Sequence, residues 1–396
     1  MTSLNRSIHH IRVFLRKSKN AIFQTVYKLA THLPIKQKQF VFFSETRSSL
    51  SGNMSYVYEE LKKRNILLTY KFFFKETIAE PKTTWYLIRL AYTLGRSRYI
   101  IIDDFLPRIY PLKIREGADL VQLWHAAGAF KKFGYSRIGL PGGPPKNSKH
   151  HRNYTKVFVS SQNVIDYYAE GFGVPKERIL ALGLPRTDVF FDVSKQNFIK
   201  KSLIKELPYL KGKKVILFAP TFRGNGQKTA NYPKEWINFE KLYQSLKGTN
   251  TIFLFKYHPF IKNRYKIPNK FKDLFFDVSD FREINNLLLV TDILITDYSS
   301  VIFEYALLKK KCIQFAPDLK EYTQNRGFYF EYQKMIIGTV AKNSDELIEQ
   351  IIRKNNNIDE EKYNKFIDYF CKSLDGNSTK RIVDYLLENM AKNNEY

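Results

Sequence analysis

The residues able to do chemistry in this sequence are two of its seven histidines, a pair of serines and a few cations, and each follows an apolar run. His125 ends DLVQLWH (119–125), and small residues then lead to Lys131 and Lys132. An imidazole titrates near neutrality, so there it can act as a general base, or it merely caps the segment. His258 follows TIFLF, beside Lys256, in KYHP. Thr221 and Arg223 follow KKVILFAP (213–220) in TFRG, a hydroxyl and a guanidinium fork suited to phosphate, or a plain surface turn. Asp297, Ser299 and Ser300 follow DILIT at the start of a helical pattern, where such residues cap and free N–H groups attract phosphate. Glu304, about one turn further on, could meet ribose hydroxyls or be solvated. Arg326 and Gly327 fall in a polar loop after KCIQFAP (311–317), either a phosphate contact or a structural loop.

The apolar runs must be strands that position these residues. QFVFFS, ILLTYKFFF, RYIIIDD, DLVQLWH and KVFVS alternate with the helical patterns YVYEELKKR, WYLIRLAYTLGRS and SQNVIDYYAEGFG. The rhythm restarts with KKVILFAP, TIFLFKYHP, DILITD and KCIQFAP, separated by helical stretches at 235–248, 281–291 and 299–310. Continuous apolar strands alternating with helices predict parallel sheets covered on both faces. The fold class is α/β, with two Rossmann-like domains. Residues 37–195 form an N-terminal domain and 196–375 a C-terminal one, with a Lys-rich break near 192–212. A further helix over 378–390 belongs to a C-terminal segment, 376–396, that can pack back across the boundary. Residues 354–357 form a polar break. Ligands of parallel sheets bind beyond the carboxyl ends of strands, where every residue singled out above falls. No G-x-G-x-x-G follows a strand, and no Walker A spacing occurs.

Composition bounds the rest. The 396 residues exceed the roughly 250–300 that one core organises. Lys and Arg number 65 against 38 acidic residues, a formal charge of +27 that calls for an acidic partner without naming it. Two distant cysteines make neither a disulfide framework nor a zinc cluster. No apolar run is long enough to span a bilayer, and the N-terminus lacks a signal-peptide pattern. Residues 1–36 carry no acidic residue, and Ile8, Ile11, Leu15, Ile22, Val26 and Leu29 recur at helical spacing. This reads as a basic amphipathic helix for an anionic membrane surface, or as a helix packing its stripe on the body.

In order, WHAAGAFKKFG, GLPRTDVF, LFAPTFRG, KYHP and ITDYSSVIFEYALLKK followed by DLKEYTQNRGFYF resemble the CDP-glycerol glycerophosphotransferase family. Its members prime or polymerise teichoic acids or build polyol phosphates into capsules. The resemblance runs from about residue 38 to 375. It implies a GT-B-type arrangement of the two domains and a donor that is CDP-glycerol or CDP-ribitol. The acceptor would be a lipid-linked saccharide or a polyol-phosphate chain, with CMP released at the cytoplasmic face of a bacterial membrane. By the same resemblance His125 is the base on the acceptor hydroxyl, and His258 holds donor phosphate and stabilises departing CMP. Arg223, Ser299 and Ser300 match phosphate-binding positions, with Thr221, Lys256 and Arg326 beside them. Asp297 and Glu304 fall in the nucleotide motif, and Lys131 and Lys132 lie on the acceptor side. The family often has W-H-G-T where this chain has Trp124, His125, Ala126 and Ala127, and often Arg where it has Lys256. Those departures bear on substrate more than on reaction class.

No cofactor is firmly implied. The adjacent Asp103–Asp104 pair is not the spaced D-x-D of a metal site, and a divalent ion stays open. The nearest rival is a GT-B glycosyltransferase using a nucleotide sugar. A nucleic-acid-binding protein accounts for the charge alone, since no RNA-recognition, zinc or helix-turn-helix signature is present. The absence of a large extra domain points to a primase or short-chain transferase.

Overall fold

The structure, a computed structural model, describes residues 3–77, 79–224, 226–353 and 358–392. The first half runs α1 (Ser3–Ala30), β1 (Lys36–Ser44), α2 (Gly52–Lys63), β2 (Thr69–Phe74), α3 (Thr84–Arg96), β3 (Ser97–Ile102), β4 (Asp119–Gln122), β5 (Lys156–Phe158), α4 (Ile165–Phe172) and β6 (Ile179–Leu180). After α5 (Val193–Glu206) the second half runs β7 (Lys214–Phe218), α6 (Phe239–Leu246), β8 (Thr251–Phe255), β9 (Phe275–Asp277), α7 (Ile284–Val290), β10 (Ile293–Thr296), α8 (Val301–Ala306), β11 (Lys311–Phe315), α9 (Leu319–Arg326) and β12 (Thr339–Ala341). Three helices close the chain: α10 (Ser344–Ile352), α11 (Glu360–Phe370) and α12 (Ser378–Lys392).

Each half builds a six-stranded parallel sheet, in the orders β2-β1-β3-β4-β5-β6 and β12-β11-β10-β7-β8-β9. Both faces of the central strands are covered, so β3 is buried along its whole length. Two Rossmann-like domains are thus set side by side. In the first sheet the connection reverses direction at β1 and β3, in the second at β7 and β10. Backbones diverge beyond the carboxyl ends at such a switch point and leave a crevice. Those ends carry Thr46 and Asp104 in one domain, and Thr221 and Asp297 in the other.

The chain crosses back at its end. Ile382, Val383 and Leu386 of α12 pack with Phe40, Phe42 and Tyr99 of the first sheet, and Asp188 accepts from the N–H groups of Ser378 and Thr379 at the helix start. Closer to the crevice, the backbone of Lys131 bridges that of Phe328. The Lys132 N–H donates to Gly327 O at 3.1 Å and Tyr329 N–H to Phe130 O at 3.1 Å. This short antiparallel zipper joins the domains.

Helix α1 divides its apolar residues between two faces. Phe23, Tyr27 and Ala30, spaced i, i+4 and i+7, are buried against α3, where Gly95 lets the backbones approach: a Cβ there would lie 2.7 Å from that of Ala30. Leu15, Ile22 and Leu29 of the expected stripe are exposed instead, together with Phe14 and with Trp85 of α3. Ile8 and Ile11 of that stripe lie outside the residues whose side chains are described, as does the polar break at 354–357. No described helix is long and apolar enough to cross a membrane.

Some expected boundaries move. The Lys-rich break near 192–212 begins as helix α5, capped by Asp192, and only then turns at Pro208. The stretch read as a polar loop around Arg326 is helix α9, which its low apolar content had concealed. The helical patterns at 235–248 and 299–310 shorten to α6 and α8.

Candidate functional site

Strand β4 ends at Gln122, so His125 stands three residues past it on a constrained turn. Trp124 has φ +52°, a left-handed conformation that costs a bulky residue roughly 1–3 kcal/mol. Neighbours fix it. The Gln122 Oε1 accepts from Trp124 N–H at 2.9 Å while its Nε2 donates to Asp104 O at 3.1 Å. The Asn53 amide donates to Trp124 O, and its Oδ1 accepts from Arg186 N–H at 3.0 Å. Arg186 donates to His125 O at 2.8 Å and pairs with the buried Glu304 of the other domain. The turn that aims His125 is therefore held from both domains.

The His125 Nδ1 faces Asp104 Oδ1 at 3.3 Å, an ion-pair contact long for a hydrogen bond. Asp104 is itself set by Thr46 Oγ1 at 2.8 Å and by the Phe105 N–H at 2.7 Å. Burial disfavours the imidazolium, but the Asp104 carboxylate more than offsets this and raises the His125 pKa above its ordinary value. Asp104 is held below the usual carboxylate range: burial works against its charge, and His125 and the hydrogen bonds outweigh it. With Nδ1 turned to the carboxylate, Nε2 is the atom left to take a proton.

Across the crevice His258 follows β8. Its Nδ1 accepts from Phe260 N–H at 3.2 Å, and Phe222 lies against its ring. Burial, then the charges of Lys131, Lys256 and His125, push its pKa down to about 4. It is neutral near pH 7, and the bond at Nδ1 puts the ring proton on Nε2 as a donor. The Arg186–Glu304 pair and the Lys131–Phe328 bridge bring residues of both domains together at this crevice. Lys131 is pushed down to about 7 by burial and then by Arg326, with Asp297 and Arg223 also within range. The zipper sets its backbone against Phe328 of the second domain, with Lys132 beside it. The Thr221 hydroxyl is buried without a partner, and the half-buried Ser299 and Ser300 precede α8.

Other expected residues are committed elsewhere. Arg223 donates through Nε and Nη2 to Asp318 at 2.6 and 2.9 Å, and through Nη1 to Asp297 at 2.9 Å and Thr221 O at 2.7 Å. Four of its five N–H groups are used, and Tyr298, Tyr322 and Trp236 enclose it, so it anchors the loop and is not free to grip phosphate. Asp297 accepts from Arg223 and Thr221 N–H, and Glu304 Oε1 accepts from Arg186, while Glu304 Oε2 is buried without a partner. Lys256 donates to Ser279 O at 2.9 Å, and burial followed by Arg264 pushes it down to about 8. Arg326 lies on a cavity of about 410 Å³, with Phe222, Trp236 and Tyr322 also on its wall. Among the described residues no group of three His, Cys, Asp or Glu side chains could hold a metal. Asn53, Gln122 and Arg186 were not singled out from sequence, and Asp104 was weighed only as half of a metal-binding pair. Only Asp104, at the end of a strand run, carried the signal that found the others.

The crevice between the two Rossmann-like domains thus holds a carboxylate-supported imidazole, a second imidazole that is neutral, and several cations. Residues 25–388 match the CDP-glycerol:poly(glycerophosphate) glycerophosphotransferase family, and the chain belongs to it. It is 54% identical over 374 residues to the teichoic acid poly(ribitol-phosphate) polymerase of Bacillus spizizenii, covering 94% of this chain and 60% of that protein. It is 44% identical to a teichoic acid ribitol-phosphate polymerase of Staphylococcus aureus, covering 93% and 72%. The structure of the wall teichoic acid polymerase TagF superposes with a TM-score of 0.76 at 22% identity over 98% of both chains, which shows a common fold.

Proposed function

We propose that the chain transfers a polyol phosphate from a CDP-alcohol to the hydroxyl end of a polyol-phosphate or lipid-linked saccharide acceptor in teichoic-acid synthesis. The observation that carries this reading is the opposition of the Asp104–His125 pair to a neutral His258 across the crevice. His125 Nε2 takes the proton of the acceptor hydroxyl. The hydroxyl oxygen bonds to the β-phosphorus, the bond from that phosphorus to the bridging oxygen breaks, and the electron pair leaves with CMP. His258 Nε2–H donates to the departing phosphate, with Lys131, Thr221, Ser299 and Ser300 close by; preorganised donors of this kind are usually the largest catalytic term. Ribitol is the favoured polyol, because the 54% and 44% identical relatives carry ribitol phosphate in their names.

The exposed Phe14, Leu15, Ile22 and Leu29 of α1 with Trp85, in a segment free of acidic residues, support peripheral attachment to an anionic membrane, which would present a lipid-linked acceptor at the cytoplasmic face. The test of function is CMP release from CDP-ribitol and from CDP-glycerol with a lipid-linked acceptor present. Release that H125A abolishes, while nucleotide still binds, supports the reading. Release from neither donor by folded protein rejects it.

A further inference from the structure

The arginines on the domain boundary mostly have carboxylates: Arg47 has Asp103, Arg186 has Glu304, and Arg223 has Asp297 and Asp318. Lys131, Arg137 and Arg326 have none among the described residues. Arg137 is only 8% exposed, and its Nε is buried without a partner. Its other donors meet the carbonyls of Pro141 and Gly142. Burial and then the charge of Arg326 push Arg137 down to about 10, and both arginines act on Lys131. Like charges gathered without counter-charge are costly, most of all for the buried Arg137 beside the half-buried Lys131 and Arg326, and an anion between them removes the cost.

The three come from opposite sides of the boundary. Lys131 is held beside Arg326 by the zipper between residues 130–132 and 327–329. Pro141, whose carbonyl takes Arg137, lines the same cavity as Arg326. We propose that Lys131 and Arg137 of the first domain and Arg326 of the second form one phosphate cradle, complete only when the domains are apposed, that takes the diphosphate of the nucleotide donor. The nucleotide then bridges the domains and stabilises the zipper. This rests on the donor reading above, though its test does not depend on turnover.

The test compares the binding of CDP and of cytidine, by calorimetry, to the full chain and to Arg137→Gln and Arg137→Lys. A lost charge-assisted phosphate contact predicts CDP binding weakened about 10-fold in Arg137→Gln and less in Arg137→Lys, with cytidine unmoved. CDP should also slow hydrogen exchange at residues 327–329 in wild type and do so less in Arg137→Gln. Equal loss of CDP and cytidine binding reduces Arg137 to a loop brace and overturns the cradle, as does no loss of either. An acceptor KM that rises while CDP binding holds reassigns the cations to an acceptor phosphodiester and overturns the diphosphate. If Arg137→Gln does not fold, Arg326→Gln supplies the same comparison. Failure of the donor reading shows itself separately, as no CMP release by wild type.

Discussion

Replacing Asp104 with Asn removes one charge and little volume, and its consequence can be worked from the geometry. Two unit charges separated by 3.3 Å interact by about 1.3 kcal/mol in water and about 5 kcal/mol at an effective dielectric of 20. The His125 side chain is 41% exposed, which places the pair near the aqueous end of that range. Asp104 favours the imidazolium, so its loss lowers the His125 pKa. A base works only when deprotonated, so the acidic limb of kcat/KM moves to lower pH. The plateau falls as well, because the ring loses its anchor and is a weaker base, by about 10²- to 10⁴-fold. The assay is CMP release across pH 5–9 at saturating acceptor, with H125A as the control in which the limb vanishes. An unmoved limb with a plateau within about threefold of wild type would show that Asp104 does not support the base.

Acid should destabilise the fold through the buried His151 and the half-buried His258. His151 is pushed down to about 3 and His258 to about 4, both first by burial, so the unfolded chain takes up protons before the folded one. Stability contributed by the neutral rings is therefore complete above about pH 6.5 and is lost as pH falls through the folded values, by up to about 1.4 kcal/mol per pH unit per histidine. Calorimetric Tm should drop less steeply between pH 7 and 4.5 in His151→Asn than in wild type, and parallel slopes contradict this. Gly128 has φ +61°, and a Cβ there would lie 2.2 Å from Phe303 of the other domain, so Gly128→Ala should cost on the order of 2–4 kcal/mol in denaturant unfolding. Unchanged stability would mean that the domains are not apposed as described. A Phe14→Ser, Leu15→Ser, Leu29→Ser variant should lose sedimentation with anionic vesicles while retaining its Tm, because those side chains face solvent; equal sedimentation removes the membrane reading of α1.

What the sequence made legible follows from topology. In a parallel α/β sheet the chemistry lies beyond strand ends, and strand ends can be read from where apolar runs stop, which is how His125, His258 and Ser299 came into view. The state of a side chain at such an end cannot be read this way. Arg223 has the right type in the right place, yet its donors are taken by Asp318, 95 residues away, and only folding reveals that. Glu304 shows the same limit, its partner Arg186 lying 118 residues upstream in the other domain. Local periodicity also failed where burial was not periodic. Helix α9 buries only Tyr322, so no apolar stripe announced it, and α1 splits its apolar residues between core and solvent.

These misreadings share a physical cause that bears on how the crevice works. The residues that hold His125 come from the first domain through Gln122, Asn53 and Asp104, and from the second through the Glu304–Arg186 pair. The buried Glu304 spends its charge on Arg186, and Arg186 in turn grips the His125 carbonyl. A charge buried in this way is expensive unless its partner is present. Separation of the domains would strand Glu304 and release the turn carrying His125 at once, so His125 is aimed only while the domains are together. The +27 surplus is compatible with such a device because the boundary arginines that brace it, Arg186 and Arg223, are neutralised internally.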